Sequence, residues 1–205
     1  MAVYNLKAPL TEEEVRKLRV GDIVYLSGIV VTARDEAHHR ILEYIKEGKP
    51  LPVDLRGGAI YHCGPVVRKT DEGWEVVAAG PTTSTRMEIF EAEVIEKTGV
   101  RMIIGKGGMK EKTAEACKKY GAVYVTFTGG AAILAAKAIK RVLGVEWLDL
   151  GIPEALWIFE VENFGPLTVT IDSTGRNYTE EVINNAKKKR EVVLKKLGVW
   201  LWGKC

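Results

Sequence analysis

The sequence predicts an α/β fold with a mixed β-sheet or barrel-like β-layer and flanking helices, and three observations carry that prediction. The first half is rich in β-branched and aromatic runs punctuated by Gly, Pro and Asp. The second half alternates strand-like with helix-like segments, and no repeat, low-complexity tract or long linker separates the two. A single domain spanning residues 1–205 is therefore expected.

Thr11 with Glu14 three residues on forms a capping box, which starts a short helix ending near Leu18. Asp22 to Thr32 reads as one bent strand or as two strands joined at Gly28. From Asp35 to Glu47 the residues Ala37, Ile41, Leu42 and Ile45 recur at helical spacing, and Gly48-Lys49-Pro50 ends the run. Ala59–Cys63, Val66–Arg68 and Trp74–Ala79 read as strands with tight turns. Helical periodicity returns over Arg86–Lys97, Lys110–Tyr120 and Ala131–Val142, with strands at Met102–Ile104 and Val123–Thr126 between them, a βαβ arrangement. Glu146–Leu150, Ile158–Val161 and Leu167–Asp172 read as further strands. Tyr178–Leu197 reads as a charged helix closed by Gly198, with Lys187-Lys188-Lys189-Arg190 on its solvated face. Trp200 and Trp202 near the terminus require a surface to dock on.

Composition excludes several functional classes. With 30 Lys+Arg against 27 Asp+Glu, a net +3, charge is too evenly matched for a nucleic-acid groove or an anionic membrane face. No apolar run approaches the roughly 18 residues of a membrane span, and Met1-Ala2-Val3-Tyr4 does not open a secretory leader, so a cytoplasmic location is expected. Cys63, Cys117 and Cys205 are odd in number and far apart, which predicts neither a disulfide framework nor a metal site built by this chain alone.

Four strand-to-helix turns carry the residues fit for chemistry. In Gly80-Pro81-Thr82-Thr83-Ser84-Thr85-Arg86, four hydroxyls and a guanidinium gather where a cap needs only one hydroxyl, and free backbone N–H groups at a helix start favour an anion. Gly105-Lys106-Gly107-Gly108-Met109 sets a cation among glycines but lacks the Walker spacing, so nucleotide binding is not supported. Thr128-Gly129-Gly130 carries no charge and reads as a packing turn. In Ala33-Arg34-Asp35-Glu36-Ala37-His38, Asp35 reads as a cap. Arg34 can hold a carboxylate bidentately, and His38 titrates near neutrality. Three cationic sites without a strong base, nucleophile or metal cluster describe half a pocket for a small polycarboxylate or phosphate.

These same segments, with Gly21–Gly28, Gly64-Pro65 and Leu150-Gly151-Ile152-Pro153-Glu154-Ala155-Leu156-Trp157, closely resemble the β subunit of two-subunit class I fumarate hydratases and L(+)-tartrate dehydratases, equivalent to the C-terminal domain of single-chain class I fumarases. The resemblance covers nearly the whole chain. It implies a swivelling β/β/α domain closing over a [4Fe–4S] cluster that a separate α subunit binds, with no cluster ligand from this chain, in an α2β2-type assembly. The reaction it implies is reversible hydration of fumarate to (S)-malate. The alternatives are dehydration of L(+)-tartrate to oxaloacetate and a non-catalytic carboxylate-binding or assembly module. Carried over residue by residue, Thr82 matches the proton-abstracting group, and Arg86, Arg34 and Lys106 match contacts to the substrate carboxylates. His38 lies in a matched segment, where it orients a substrate oxygen or shuttles a proton. Single-chain fumarases have Gly-Asn-Arg where this chain has Gly107-Gly108-Met109, the version shared by tartrate dehydratase β subunits and two-subunit fumarases. The choice between fumarate and tartrate stays open.

Overall fold

A computed structural model describes residues 1–71 and 73–198. Strand β1 (Val3–Lys7) leads into α1 (Glu12–Lys17), β2 (Ile23–Thr32), α2 (Asp35–Lys46) and β3 (Ala59–Tyr61). The hairpin β4 (Val66–Thr70) and β5 (Gly73–Ala78) follows, then a 3₁₀ turn (Ser84–Met87) that runs into α3 (Glu88–Thr98). Next come β6 (Met102–Gly105), α4 (Glu111–Tyr120), β7 (Val123–Thr126), α5 (Ala132–Ala138) and β8 (Ile139–Glu146). A second 3₁₀ turn (Leu148–Leu150), the long β9 (Leu156–Ile171) and α6 (Tyr178–Lys196) complete the order.

Strands β2, β3, β6 and β7 lie parallel in that order, and β9 runs antiparallel to both β7 and β2, which closes five strands into a mixed barrel. Strand β1 extends β2 and β8 extends β9 outside the closure. Alternation along each strand builds two cores. Ala59, Tyr61, Met102, Ile104, Val123 and Val125 join Phe164, Leu167 and Val169 of β9 inside the barrel. Ile60, Ile103 and Tyr124 point the other way, onto Ala37 and Ile41 of α2, Val94 and Ile95 of α3, and Cys117 of α4. Burial on both faces is why β3, β6 and β7 read as continuous apolar runs.

The capping box forms as expected, with the Thr11 side chain accepting from the Glu14 N–H. The segment 22–32 is one strand whose register against β9 shifts at Gly28. Four expectations are corrected. The helix predicted over Ala131–Val142 stops at Ala138, because the β-branched residues from Ile139 onward pair with the exposed edge of β9, and that tertiary pairing overrides helical spacing. Glu146–Leu150 is not a strand: β8 ends at Glu146, Trp147 turns left-handed and a 3₁₀ turn follows. Ile158–Val161 and Leu167–Asp172 belong to one strand, β9, long enough to pair with β2, β7 and β8. Strand β1, to which the sequence reading assigned no element, is held by its parallel register with β2 from Val3 opposite Ile23 to Lys7 opposite Ser27. Lys187–Arg190 is exposed on α6, Gly198 closes that helix, and Trp200 and Trp202 lie outside the described residues.

Candidate active site

The carboxyl ends of β2, β3, β6 and β7 share one rim, where open α/β sheets place their ligands. The chain leaves these strands through the segments singled out in the sequence, and backbone bonds draw them together. The Thr82 N–H donates to the His62 carbonyl at 2.7 Å, and the Ser84 N–H donates to the Lys106 carbonyl at 3.1 Å. Thr83 pairs with Lys106 in a parallel bridge. The hydroxyl-rich loop is thus laid between the ends of β3 and β6.

Its hydroxyls do not cap α3, which has no side-chain cap bond. Ser84 is buried and its Oγ meets His62 Nδ1 at 2.9 Å, while Thr85 donates to the Gly108 carbonyl at 2.6 Å. The half-buried Thr82 has no hydrogen bond from its hydroxyl among the described residues, which leaves that oxygen free at the rim. Arg86 donates through Nη2 to Asp35 at 2.8 Å. Asp35 is therefore not the cap expected of it: Arg34 occupies that position, and Asp35 is the first helical residue, favoured there by the helix dipole and turned toward Arg86.

Arg34 is held between Glu154 and Gly64. Its Nε lies 3.1 Å from Glu154 Oε1, and the other oxygen of Glu154 accepts from the Glu36 N–H at 3.1 Å. A Cβ at Gly64 would fall 2.6 Å from Arg34 Nη1 and 2.7 Å from the Pro153 carbonyl, so only glycine admits the guanidinium here. The 150–157 segment is pinned to the end of β2 because Thr32 Oγ1 accepts from the Trp157 N–H at 3.0 Å. Lys106 is half-buried beside Gly129 and makes no ion pair among the described residues. Two paired arginines, one unpaired lysine and a free threonine hydroxyl thus share the rim.

His38 is placed differently from a group facing substrate. It is fully buried beneath the rim, with Nδ1 on the Arg34 carbonyl at 2.7 Å and Nε2 3.3 Å from Glu91 Oε2. His62 Nε2 meets the same Glu91 oxygen at 2.9 Å. Burial opposes the charge on Glu91, but the two imidazoles outweigh it and hold the carboxyl well below its ordinary range. Burial also works against a charged His38, yet the Glu91 carboxylate wins and raises its pKa. For His62 burial prevails and the pKa falls. These shifts favour charge on His38 and the neutral form of His62 beside the Glu91 carboxylate. Sequence reasoning missed His62, Ser84 and Glu91 as a unit. The available signal was Glu91 lying on the apolar stripe of Met87, Val94 and Ile95.

Among the described residues, the groups spaced to share a metal are His38, His62 and Glu91, whose ligand atoms lie within 4.8 Å of one another. The described cysteines do not fit an iron–sulfur cluster. Cys63 lies inside the barrel and Cys117 in the helix-covered core, and burial pushes both thiols up, away from the thiolate such a cluster binds.

The family model described as Fumarase C-terminus matches residues 2–182. The chain belongs to that family. Relatives within this fumarase C-terminus group include the L(+)-tartrate dehydratase subunit beta of Escherichia coli (strain K12), 45% identical over 192 residues and 94% of each chain. A Methanocaldococcus jannaschii protein provisionally named as the same subunit is 49% identical over 181 residues, 88% of this chain and 93% of its own. A Geobacillus stearothermophilus protein provisionally named a class I fumarate hydratase is 45% identical over 188 residues, 91% of this chain but 35% of that longer protein. Both names denote hydro-lyases, and subunit beta denotes a chain that works beside another. No described helix is long and apolar enough to cross a membrane.

Proposed function

We propose that this chain is the β subunit of a cytoplasmic two-subunit class I fumarase. It acts as one hydro-lyase domain that hydrates fumarate reversibly to (S)-malate in an α2β2-type assembly. The observation that carries this reading is the meeting of Arg34, Arg86, Lys106 and the Thr82 hydroxyl on one barrel rim in a chain of this family. The described cysteines, Cys63 and Cys117, do not suit a [4Fe–4S] cluster, and the α subunit would hold it, where it would supply Lewis-acid polarisation of the substrate hydroxyl.

The chain's own part is to bind, to orient and to accept a proton. A dicarboxylate carries two negative charges, and the rim offers three cations of which two already face an acid. Glu154 faces Nε of Arg34 as a charge contact without an aligned hydrogen bond, and Asp35 accepts from one Nη of Arg86, so each guanidinium keeps N–H donors for a substrate carboxylate. The acids thus orient the arginines without consuming them, and Lys106 adds an unpaired point charge. Neutralising both carboxylates acidifies the adjacent C–H, which lets the weakly basic Thr82 hydroxyl serve on the proton-abstracting side.

A second reading, L(+)-tartrate dehydration, is favoured by the names of the relatives matched over nearly their whole length. Anaerobic co-expression with the cognate α subunit, iron–sulfur reconstitution and assays with fumarate, (S)-malate and L-tartrate decide between them. Malate–fumarate interconversion supports the first reading, and turnover of tartrate alone replaces it with the second. An intact cluster with no turnover of any of the three leaves a carboxylate-binding module.

A further inference from the structure

Two arms of the rim come from separate parts of the chain: Arg34 at the end of β2, and the Thr82–Arg86 loop after β5. Both are tied to one buried carboxylate. We propose that Glu91 of α3, acting through His62 and His38, is a positioning residue that sets these two arms relative to each other. The inference rests on the hydro-lyase reading and adds to it groups that touch no substrate.

The hydrogen-bond chemistry assigns the protons. The Arg34 carbonyl can only accept, so His38 Nδ1 carries a hydrogen, and its Nε2 faces a carboxylate. His62 Nε2 donates to Glu91, which leaves Nδ1 as the acceptor for the Ser84 O–H. Glu91 therefore fixes the tautomer of His62, His62 fixes Ser84, and Ser84 lies in the middle of the loop that carries Thr82 and Arg86. The His62 carbonyl holds the same loop by accepting from the Thr82 N–H. Space enforces the contact, since a Cβ at Gly105 would fall 1.8 Å from Ser84 Oγ and 3.1 Å from His62 Nδ1.

The second arm is held less directionally. His38 Nε2 and Glu91 Oε1 are buried without a hydrogen-bond partner, so charge rather than an aligned bond draws His38, and with it the Arg34 backbone, toward Glu91. A metal is a poorer occupant of the cluster than these protons. The 2.9 Å between His62 Nε2 and Glu91 Oε2 is a hydrogen-bond distance, shorter than the roughly 3.3 Å separating two ligands of a tetrahedral zinc.

The test uses the reconstituted αβ enzyme, with imidazole nitrogen NMR on the full-length chain. Ser84→Ala is expected to lower kcat about 10- to 100-fold, as displacement of a reacting group does, in a chain that still folds with a modestly lowered melting temperature because one buried hydrogen bond is lost. His62→Gln is expected to lower it similarly, and the double variant no further, because both act through one chain of bonds. Glu91→Gln is expected to abolish the Nε2–H signature of His62 and to raise KM as well, since both arms are released. If Glu91→Gln does not fold, the Ser84–His62 cycle still decides. Folded single variants with wild-type kcat and KM overturn the inference while leaving the enzyme reading intact, as do additive losses in the double variant. A stoichiometric metal in the purified chain overturns it too. A wild-type enzyme inert toward fumarate, (S)-malate and L-tartrate overturns the reading beneath it.

Discussion

A hollow of about 960 Å³ lies between the β4–β5 hairpin and β8 and is lined by Trp74, Val76, Val142 and Leu143 among others. The other region is the rim at the carboxyl ends of β2, β3, β6 and β7. Charge is present in both places but is arranged differently. Arg141 and Lys140 beside the groove face Glu160 and Glu162 across β8 and β9, exposed cross-strand pairs of the sort that contribute little. At the rim, Arg34 is wedged against Gly64 and Glu154, and the hydroxyl loop is bonded to β3 and β6 from below. What sets the rim apart is not volume but side chains fixed from underneath, the feature on which the proposed function rests.

The sharpest way to break this contrast is at Thr82. In the reconstituted enzyme Thr82→Ala is expected to lower kcat by about 10²–10⁴-fold, the usual contribution of a positioned acid–base group, with thermal unfolding unchanged. A full-rate variant would move proton abstraction elsewhere. Next in size are the cations. Arg86→Lys keeps the charge but loses the fork, and Lys106→Met removes a charge that has no ion-pair partner among the described residues. Each is expected to raise KM for the dicarboxylate about 10- to 100-fold, as the loss of a charged hydrogen bond of about 1.5–3 kcal/mol implies. Initial-rate kinetics over a wide substrate range separate the two parameters.

Much of the rim is legible in the sequence because its parts are local. Gly80–Arg86, Gly105–Met109 and Arg34 each sit in a turn whose composition exceeds what a turn needs. The layer beneath them was less legible. His62 follows the apolar run of β3, Glu91 lies on an apolar helical stripe and Ser84 is one hydroxyl among four, so nothing in the order of residues says that the three meet. They meet only when the crossover from β3 to its parallel neighbour β6 lays α3 over both strands. The fold correction has a nearer cause: residues 139–146 form a strand because β9, the next strand along the chain, turns back and supplies an edge.

The buried cluster makes stability depend on pH in a way the groove does not. Glu91 is held below its ordinary value of 4.5, so its stabilisation is present above that pH and is lost as pH falls through the folded value. His62 is lowered from 6.5, so it too favours folding above 6.5 and loses that contribution on acidification. His38 is raised from 6.5, so its contribution is full below 6.5 and is lost as pH rises through the folded value. Across neutrality the two histidines oppose each other, with Asp35 acting on both in the same sense. Denaturant unfolding of the full chain is therefore expected to show a shallow slope from pH 6 to 8 and a steep loss from about 4.5 down to about 2, the folded value to which Glu91 is lowered. Glu91→Gln is expected to flatten the acid limb. An equally steep limb in that variant would assign it to other carboxylates.

The smallest effect on activity is expected from the groove, and Trp74 is the place to look for it. Its ring meets Trp157 edge-on at 5.3 Å between centroids, and Trp157 is the residue whose N–H pins the 150–157 segment beside Arg34. Trp74→Leu removes the aromatic contact and part of a half-buried side chain, which is expected to cost about 1–3 kcal/mol of stability. Trp157 itself is fully buried, and two further bonds hold it: its indole N–H donates to the Ile152 carbonyl at 2.9 Å, and Thr32 accepts from its backbone. Those bonds keep the rim segment in place without Trp74, so kcat and KM are expected to stay within about twofold while the melting temperature falls. A rise in KM matching the loss of stability would show instead that the groove and the rim form one mechanical unit joined through the paired tryptophans.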